Sequence, residues 1–336
     1  MKKVKTTDSV GLVLSHDVTK IVPNEFKGRL FKKGHVIREE DIEELLNIGK
    51  EHIYIIEPKE GEVHENDAAI ILKDIAVGEN VDFNPEIKEG KIDFYAKVDG
   101  VLKVNKENLF KLNSIGEMII STLHNNTPIK KGEKIGATRI IPLLIDEEKL
   151  NKAKEIDKII SVLEIKPKSA VLITTGNEVY NGRIKDAFYP VIKTKLGEYG
   201  GTLKNQVILP DEKELITENI IKAVEENADL VICTGGMSVD PDDVTPSAII
   251  DCGGEIVTYG SPILPGAMFL LAYYKGVPIL GVPSCAMYSK RTVLDLMLPR
   301  ILADEKITLN DIVEYGHGGL CLDCGICTFP HCSFGK

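Results

Sequence analysis

One stretch, Asp229–Ser247, limits the possible folds more than any other. Leu230-Val-Ile-Cys233 is a short apolar run of the kind that fills a buried parallel strand. Thr234-Gly235-Gly236 ends it and leaves bare backbone at the strand's carboxyl end, which is where open α/β sheets bind ligands. Thr245-Pro246 reads as a helix N-cap followed by the first helical residue. Between the glycines and that helix stand Asp240, Asp242 and Asp243. Two readings fit these residues. A glycine turn can cradle a phosphate while the acids hold Mg²⁺ or activate a nucleophile. Alternatively, the segment is a solvated loop between a strand and a capped helix.

The surrounding pattern fixes the sheet type. From Ser169 onward, strands alternate with helices: 170–174, then a helix over 189–200, a strand over 203–209, and a helix opened by Pro210-Asp211. Asp211 and Glu214 have capping-box spacing. Extended pieces at 255–259 and 262–264 precede the apolar strand 277–283 and a helix to about Ala303. Such βα alternation implies a three-layer, doubly wound, mostly parallel sheet over residues 168–304.

The chain before it reads differently. Residues 1–60 suggest an α+β segment, with a strand near Val10–Leu14, a helix over 39–50 and a strand at 52–56. Residues 61–145 look β-rich, with one short helix near 67–75. Ile92–Val98 and Val101–Val104 flank Asp99-Gly100, the pattern of a hairpin. Residues 146–167 look like a charged helical linker, with Leu150, Ala153, Ile156 and Ile160 at helical spacing. His35, His52, His64 and His124 lack ligand spacing and read as surface or capping residues.

Thr234-Gly-Gly-Met-Ser238 followed by Asp243-Val-Thr-Pro resembles the signature of the molybdopterin-binding domain. That domain is shared by molybdopterin adenylyltransferases and molybdotransferases, and a related one occurs in CinA-type proteins. Thr175-Gly176-Asn177-Glu178 resembles the family's Thr-Gly-Asp-Glu, with Asn in place of the first acid. Gly182-Arg183 and Pro265-Gly266 match further family elements. Where the family has Pro-Gly-Asn-Pro, this chain has Pro283-Ser284-Cys285. Ser284 could donate a hydroxyl to phosphate there, and Cys285 is either a thiol of lowered pKa or a small packing residue.

The resemblance implies molybdopterin or adenylyl-molybdopterin as ligand. It implies contacts from Thr175, Gly176, Glu178, Thr234, Gly235, Gly236, Ser238, Pro265, Gly266 and Ser284, and Mg²⁺ or catalytic roles for Asp211 and Asp243. Molybdate insertion with release of AMP is the implied reaction, and a non-catalytic pterin carrier or sensor and a CinA-like nucleotide hydrolase are the alternatives. A homo-oligomer is the family's usual state. The family's Asp-Gly-Tyr-Ala motif and its C-terminal β-barrel have no counterpart here.

Residues 305–336 are a separate feature. Cys321, Cys324, Cys327 and Cys332 follow a C-x2-C-x2-C-x4-C spacing, close to that of ferredoxins. They could ligate a [4Fe–4S] cluster or Zn²⁺, or dock with a molybdoenzyme or a cofactor-assembly protein. A net charge of −10 with no long basic run argues against a nucleic-acid surface. No apolar run approaches membrane-spanning length and the first residues lack a signal-like apolar segment, so the expectation is a cytoplasmic protein, no membrane protein, with unbridged thiols.

Overall fold

The computed structural model describes residues 2–22, 26–56, 59–237 and 243–336. Buried side chains gather into four clusters. The first segment pairs strand His52–Ile56 with Lys2–Lys5 and Val13–Leu14, beside helix Asp41–Asn47 and the hairpin Val18–Val22/Phe26–Phe31. Leu14, Ile37, Leu45, Ile53 and Ile55 form its core.

The middle region is built from a four-stranded and a three-stranded antiparallel sheet around one core, together with helices Glu65–Ala76, Lys106–Ile115 and Glu147–Lys154. Three expectations fail here. Lys91–Ala96 and Gly100–Val104 are strands but do not form a hairpin, because they belong to different sheets. Asp99 holds the crossing point: its carboxylate accepts from Lys131 N at 2.8 Å and Lys130 Nζ at 3.0 Å, and its carbonyl from Ile165 N. Lys106–Ile115 is a second helix, announced by Asn105, whose side chain caps Asn108 N. The stretch 146–167 is not a continuous helical linker. Its helix stops at Lys154, and Ile160–Glu164 pairs with Gly100–Val104 as a strand, burying Ile160 and Val162 in the core.

The third region is the α/β layer. Its strands are β1 (Ser169–Thr175), β2 (Thr202–Leu209), β3 (Leu230–Thr234), β4 (Glu255–Tyr259), β5 (Leu270–Tyr274) and β6 (Val277–Val282). They lie in the order β2-β1-β3-β6-β5-β4. The first four in that order are parallel, and the β6–β5 and β5–β4 pairs are antiparallel. Helices α1 (Asn177–Tyr180), α2 (Phe188–Gly197), α3 (Lys213–Glu225), α4 (Thr245–Asp251) and α5 (Val293–Leu302) complete it. One buried cluster lies on each face: Leu172, Ile192, Ile232 and Met297 on one, Ile173, Ile216, Ile220 and Ile249 on the other. Every residue of β3 is buried, so that strand is the sheet's centre. The chain runs from β1 to β2 on one side and then returns to β3 on the other. The order therefore reverses between β1 and β3, which is where a doubly wound sheet opens a crevice.

The middle region and the α/β layer meet through a buried cation. Arg300, fully buried in α5, donates to Glu305 at 3.0 and 2.6 Å and also pairs with Asp311. Glu305 in turn accepts from Lys103 of the middle region at 2.8 Å.

Candidate functional site at the carboxyl ends of the parallel strands

The two central strands end on glycines, and those after β3 lie against the last residue of β1. A Cβ on Gly235 would lie 2.1 Å from the Thr175 carbonyl oxygen, and Gly235 has φ of 87°. One on Gly236, at φ of 51°, would lie 2.9 Å from Thr245 Oγ1 and 3.7 Å from Asp243 Oδ1. Only glycine permits this approach, so the backbone at the reversal point carries no covering side chains. Thr175 and Thr234 are buried and act within the sheet: Thr175 Oγ1 lies 3.1 Å from Thr245 Oγ1, and Thr234 Oγ1 donates to Thr174 Oγ1 at 3.3 Å. Thr245 thus does not cap α4 as expected. It is the helix's first residue, after Val244, and its hydroxyl turns inward to tie α4 to β1.

Asp211 also departs from its expected role. No side chain caps α3, whose N-cap is Glu212. The Asp211 carboxylate reaches across to accept from Asn177 N at 3.0 Å, while Asp211 N donates to Asn177 Oδ1 at 3.4 Å. This reciprocal pair was not legible from spacing, since the partners are remote in sequence. It gives the Asn at 177 a physical reason: an Asp there would set a second carboxylate against Asp211. Gly176 is buried at φ of 137°, and the exposed Glu178 folds back so that a Cβ on Gly176 would sit 3.2 Å from its carboxylate.

Asp243 is half-buried beside Gly236. Burial raises the Tyr259 hydroxyl above its ordinary range, and the negative charge of Asp243 adds to that shift. Ser238, Asp240 and Asp242 lie outside the described residues.

The remaining expected residues sit further along the same layer. Ser284 is exposed and opens a short 3-10 turn directly after β6. Beside it, burial pushes the Cys285 thiol upward, with backbone hydrogen bonds and Lys195 offsetting only part of the effect. This overturns the lowered-pKa reading of Cys285 in favour of the packing one. Gly266 is buried, and a Cβ there would strike Val293 Cγ1 at 2.5 Å. Pro265 accepts from Val293 N at 3.1 Å, so this dipeptide seats the start of α5. Arg183 is exposed on the turn after α1, and Asp186 caps α2 through Phe188 N and Tyr189 N.

Among the described residues, no group of three or more His, Cys, Asp or Glu could hold a metal ion. Neither Cys321, Cys324, Cys327 and Cys332 nor Asp211 with Asp243 are gathered into such a group. Also among the described residues, no helix is long and apolar enough to cross a membrane. A cavity of about 570 Å³ lies away from the glycines, lined by Asp99, Lys130, Tyr199, Arg291, Phe329 and His331 among others. The sequence offered no sign of it, because its walls come from six separated stretches of chain.

Residues 171–303 match the family described as probable molybdopterin binding domain, and residues 3–57 match a domain of unknown function, DUF8806. A CinA-like protein of Fervidobacterium nodosum is 32% identical over 129 residues, covering 38% of this chain and 31% of that protein. One of Amoebophilus asiaticus is 36% identical over 84 residues, covering 24% of this chain and 20% of that protein. The chain therefore spans well under half the length of these relatives. Among solved structures, CinA of Thermoplasma acidophilum overlays with TM-score 0.35 at 19% identity, covering 40% of this chain and 98% of that one. The molybdopterin biosynthesis MoeA protein of Pyrococcus horikosii overlays with TM-score 0.34 at 19% identity, covering 72% and 79%.

Proposed function

With residues 171–303 forming a molybdopterin-binding-type domain, we propose that the chain binds molybdopterin or adenylyl-molybdopterin where β1 and β3 end, and acts as a molybdotransferase-like enzyme. The observation that carries this reading is the close approach of Gly235 and Gly236 to Thr175 at the strand-order reversal. Uncovered main-chain amides in such a place suit a phosphate. Gly176, Glu178, Gly235, Gly236 and Ser238 are the contacts proposed for the ligand, and Ser284 the hydroxyl at the end of β6. Thr175 and Thr234 contribute through backbone and packing, because their side chains are buried. Pro265 and Gly266 act indirectly, by seating α5.

Asp243 and Asp211 are the acids proposed for catalysis. Mg²⁺ usually needs only one or two carboxylates, with substrate phosphates and water filling its other positions, and Asp243 at the edge of the glycine turn fits that demand. When bound, the ion would neutralise charge on a leaving phosphate. Asp211 fixes the Gly176-Asn177 turn through the Asn177 amide, which keeps the opening in shape. Molybdate as co-substrate, a homo-oligomeric state and a cytoplasmic location belong to the same proposal, as does delivery to a molybdoenzyme or a cofactor-assembly protein.

A second reading is a CinA-like nucleotide hydrolase, favoured by the CinA-like relatives that match part of this chain. One experiment separates the two. The chain is purified anaerobically and its extract oxidised and read for pterin fluorescence; ATP and ADP-ribose are assayed as hydrolysis substrates. Pterin in the wild type, reduced at least about tenfold in Asp243→Ala (about 1.4 kcal/mol), supports the first reading. Nucleotide turnover without pterin retention sinks it.

A further inference from the structure

The cysteine run is the one motif that pterin binding leaves unused. Its ends are tied down. Leu320 bridges Leu264, with Leu264 N donating to Gly319 O and Cys321 N to Leu264 O, each at 2.8 Å. Gly335 N donates to Gly318 O at 2.9 Å, and Phe334, only 3% exposed, plugs the core beside α5. Between these ties, residues 321–333 form no helix or strand. Cys321, Phe329 and Cys332 pack against the core, but the stretch between them is not held by burial: Leu322 is 70% and Ile326 83% exposed. Ordering a residue costs about 1–2 kcal/mol of backbone entropy. A loop fixed at its ends and bare in its middle therefore wants a cross-link.

All four cysteines border one space. Cys321, Cys324, Cys327 and Cys332 line a single cavity of about 40 Å³ together with Lys290 and Arg291. The sulfurs are free, not bridged, and they do not form a group that could hold a metal ion. A [4Fe–4S] cluster takes each thiolate on a different iron, so its four ligands need not meet at one point as those of a single ion do. Cys321 and Cys332 are half-buried while Cys324 and Cys327 are exposed, so an occupant would be bound on its inner side and open on its outer side. The local charge agrees. Lys290 Nζ donates to the carbonyls of Cys324 and Gly325 at 2.9 and 3.0 Å, which places a cation against the loop that would carry the thiolates. Asp323 is the one acid in the lining.

We propose that these four cysteines ligate a [4Fe–4S] cluster, which closes the loop over the α/β layer. Transfer from a preformed cluster capped by small alkyl thiolates needs no redox step. Each cysteine Sγ forms a bond to iron as one alkyl thiolate leaves, and the cysteine proton departs on that thiolate as a thiol.

The test uses the full chain and the cluster [Fe4S4(SR)4]²⁻ with R = 2-hydroxyethyl, mixed anaerobically and then desalted. Iron and sulfide are expected at about four each per chain, with thiolate-to-iron charge-transfer absorption. Cys324→Ala and Cys327→Ala alter exposed positions, so their far-UV dichroism should match the wild type while retained iron falls at least threefold. Ile326→Ala, on the same loop, should retain iron fully. Three results would overturn the proposal: iron at one per chain or less, retention equal to the wild type in both cysteine variants, or displacement of the cluster by one equivalent of Zn²⁺ held by the same thiols.

Discussion

The glycine end of the parallel sheet and the cysteine loop are both sites without regular structure of their own, but they are held in opposite ways. The glycines hang from β1 and β3, whose residues are almost all buried and whose ladder fixes every backbone group. The cysteine loop, which has no ladder, is held by a bridge, the closing bond from Gly335, the buried Phe334, the Lys290 bonds to two of its carbonyls and the packing of Phe329. A shape carried by a sheet needs nothing further to define it, whereas a shape carried by a few anchors is completed by what binds inside it.

The strongest way to break this contrast is at the start of α5. Asp295 accepts from buried Lys195 at 2.7 and 2.8 Å, from Arg291 at 2.8 Å, and closes the capping box of α5 through Thr292 N. Asp295→Ala strands a charge on Lys195 and should cost about 3–5 kcal/mol, read as a lower urea midpoint. Because Asp295 holds Arg291, which lies over the Phe329 ring, the substitution should also loosen the tail, seen as faster alkylation of Cys321 and Cys332. Unchanged alkylation would mean that the tail does not depend on α5.

Next in size is Gly235→Ala. The added Cβ meets the Thr175 carbonyl at 2.1 Å, at a backbone angle that L residues rarely adopt, for a cost of about 3 kcal/mol. Here the tail thiols should react at wild-type rates. A variant as stable as the wild type would show that the two strands can separate and that the close approach is not enforced.

The smallest effect concerns the joint between the middle region and the α/β layer. Burial pushes the Glu305 carboxyl up, but Arg300 and Lys103 outweigh it, leaving the group below the ordinary glutamate range. A carboxylate lowered on folding contributes stability that is complete above its unfolded pKa and is lost as the pH falls through its folded value. The urea midpoint should therefore decline on acidification through the carboxylate range, and Glu305→Gln should flatten part of that slope. Parallel curves for the two proteins would remove Glu305 as a linkage group.

What the sequence revealed follows the range of its interactions. The apolar runs Ala170–Thr174 and Leu230–Cys233 announced buried strands, because burial on both faces leaves no polar alternation to confuse the reading. Asp99-Gly100 misled for the opposite reason. A turn signal reports local geometry only, and the decision to change sheets is made by Lys130 and Lys131, some thirty residues on. Ile160 failed similarly, since its helical spacing was outweighed by pairing with Gly100–Val104. At the candidate site the glycines and Asp243 were visible as a motif. The partners of Asp211 and Thr245 were not, because the fold redirected two apparent helix caps into contacts across the strand ends.

Arg291 gives the arrangement a further property. Its guanidinium donates to Glu198 at 2.7 Å and to Asp295 at 2.8 Å, and lies 4.9 Å from the centre of the Phe329 ring. It also lines both the 570 Å³ cleft and the thiol cavity. One positive charge is thus shared by two chambers and two resident carboxylates. An anionic guest in either chamber must compete for it, so filling one makes the other a poorer host, and the two spaces answer to a common account of charge without any part of the backbone having to move.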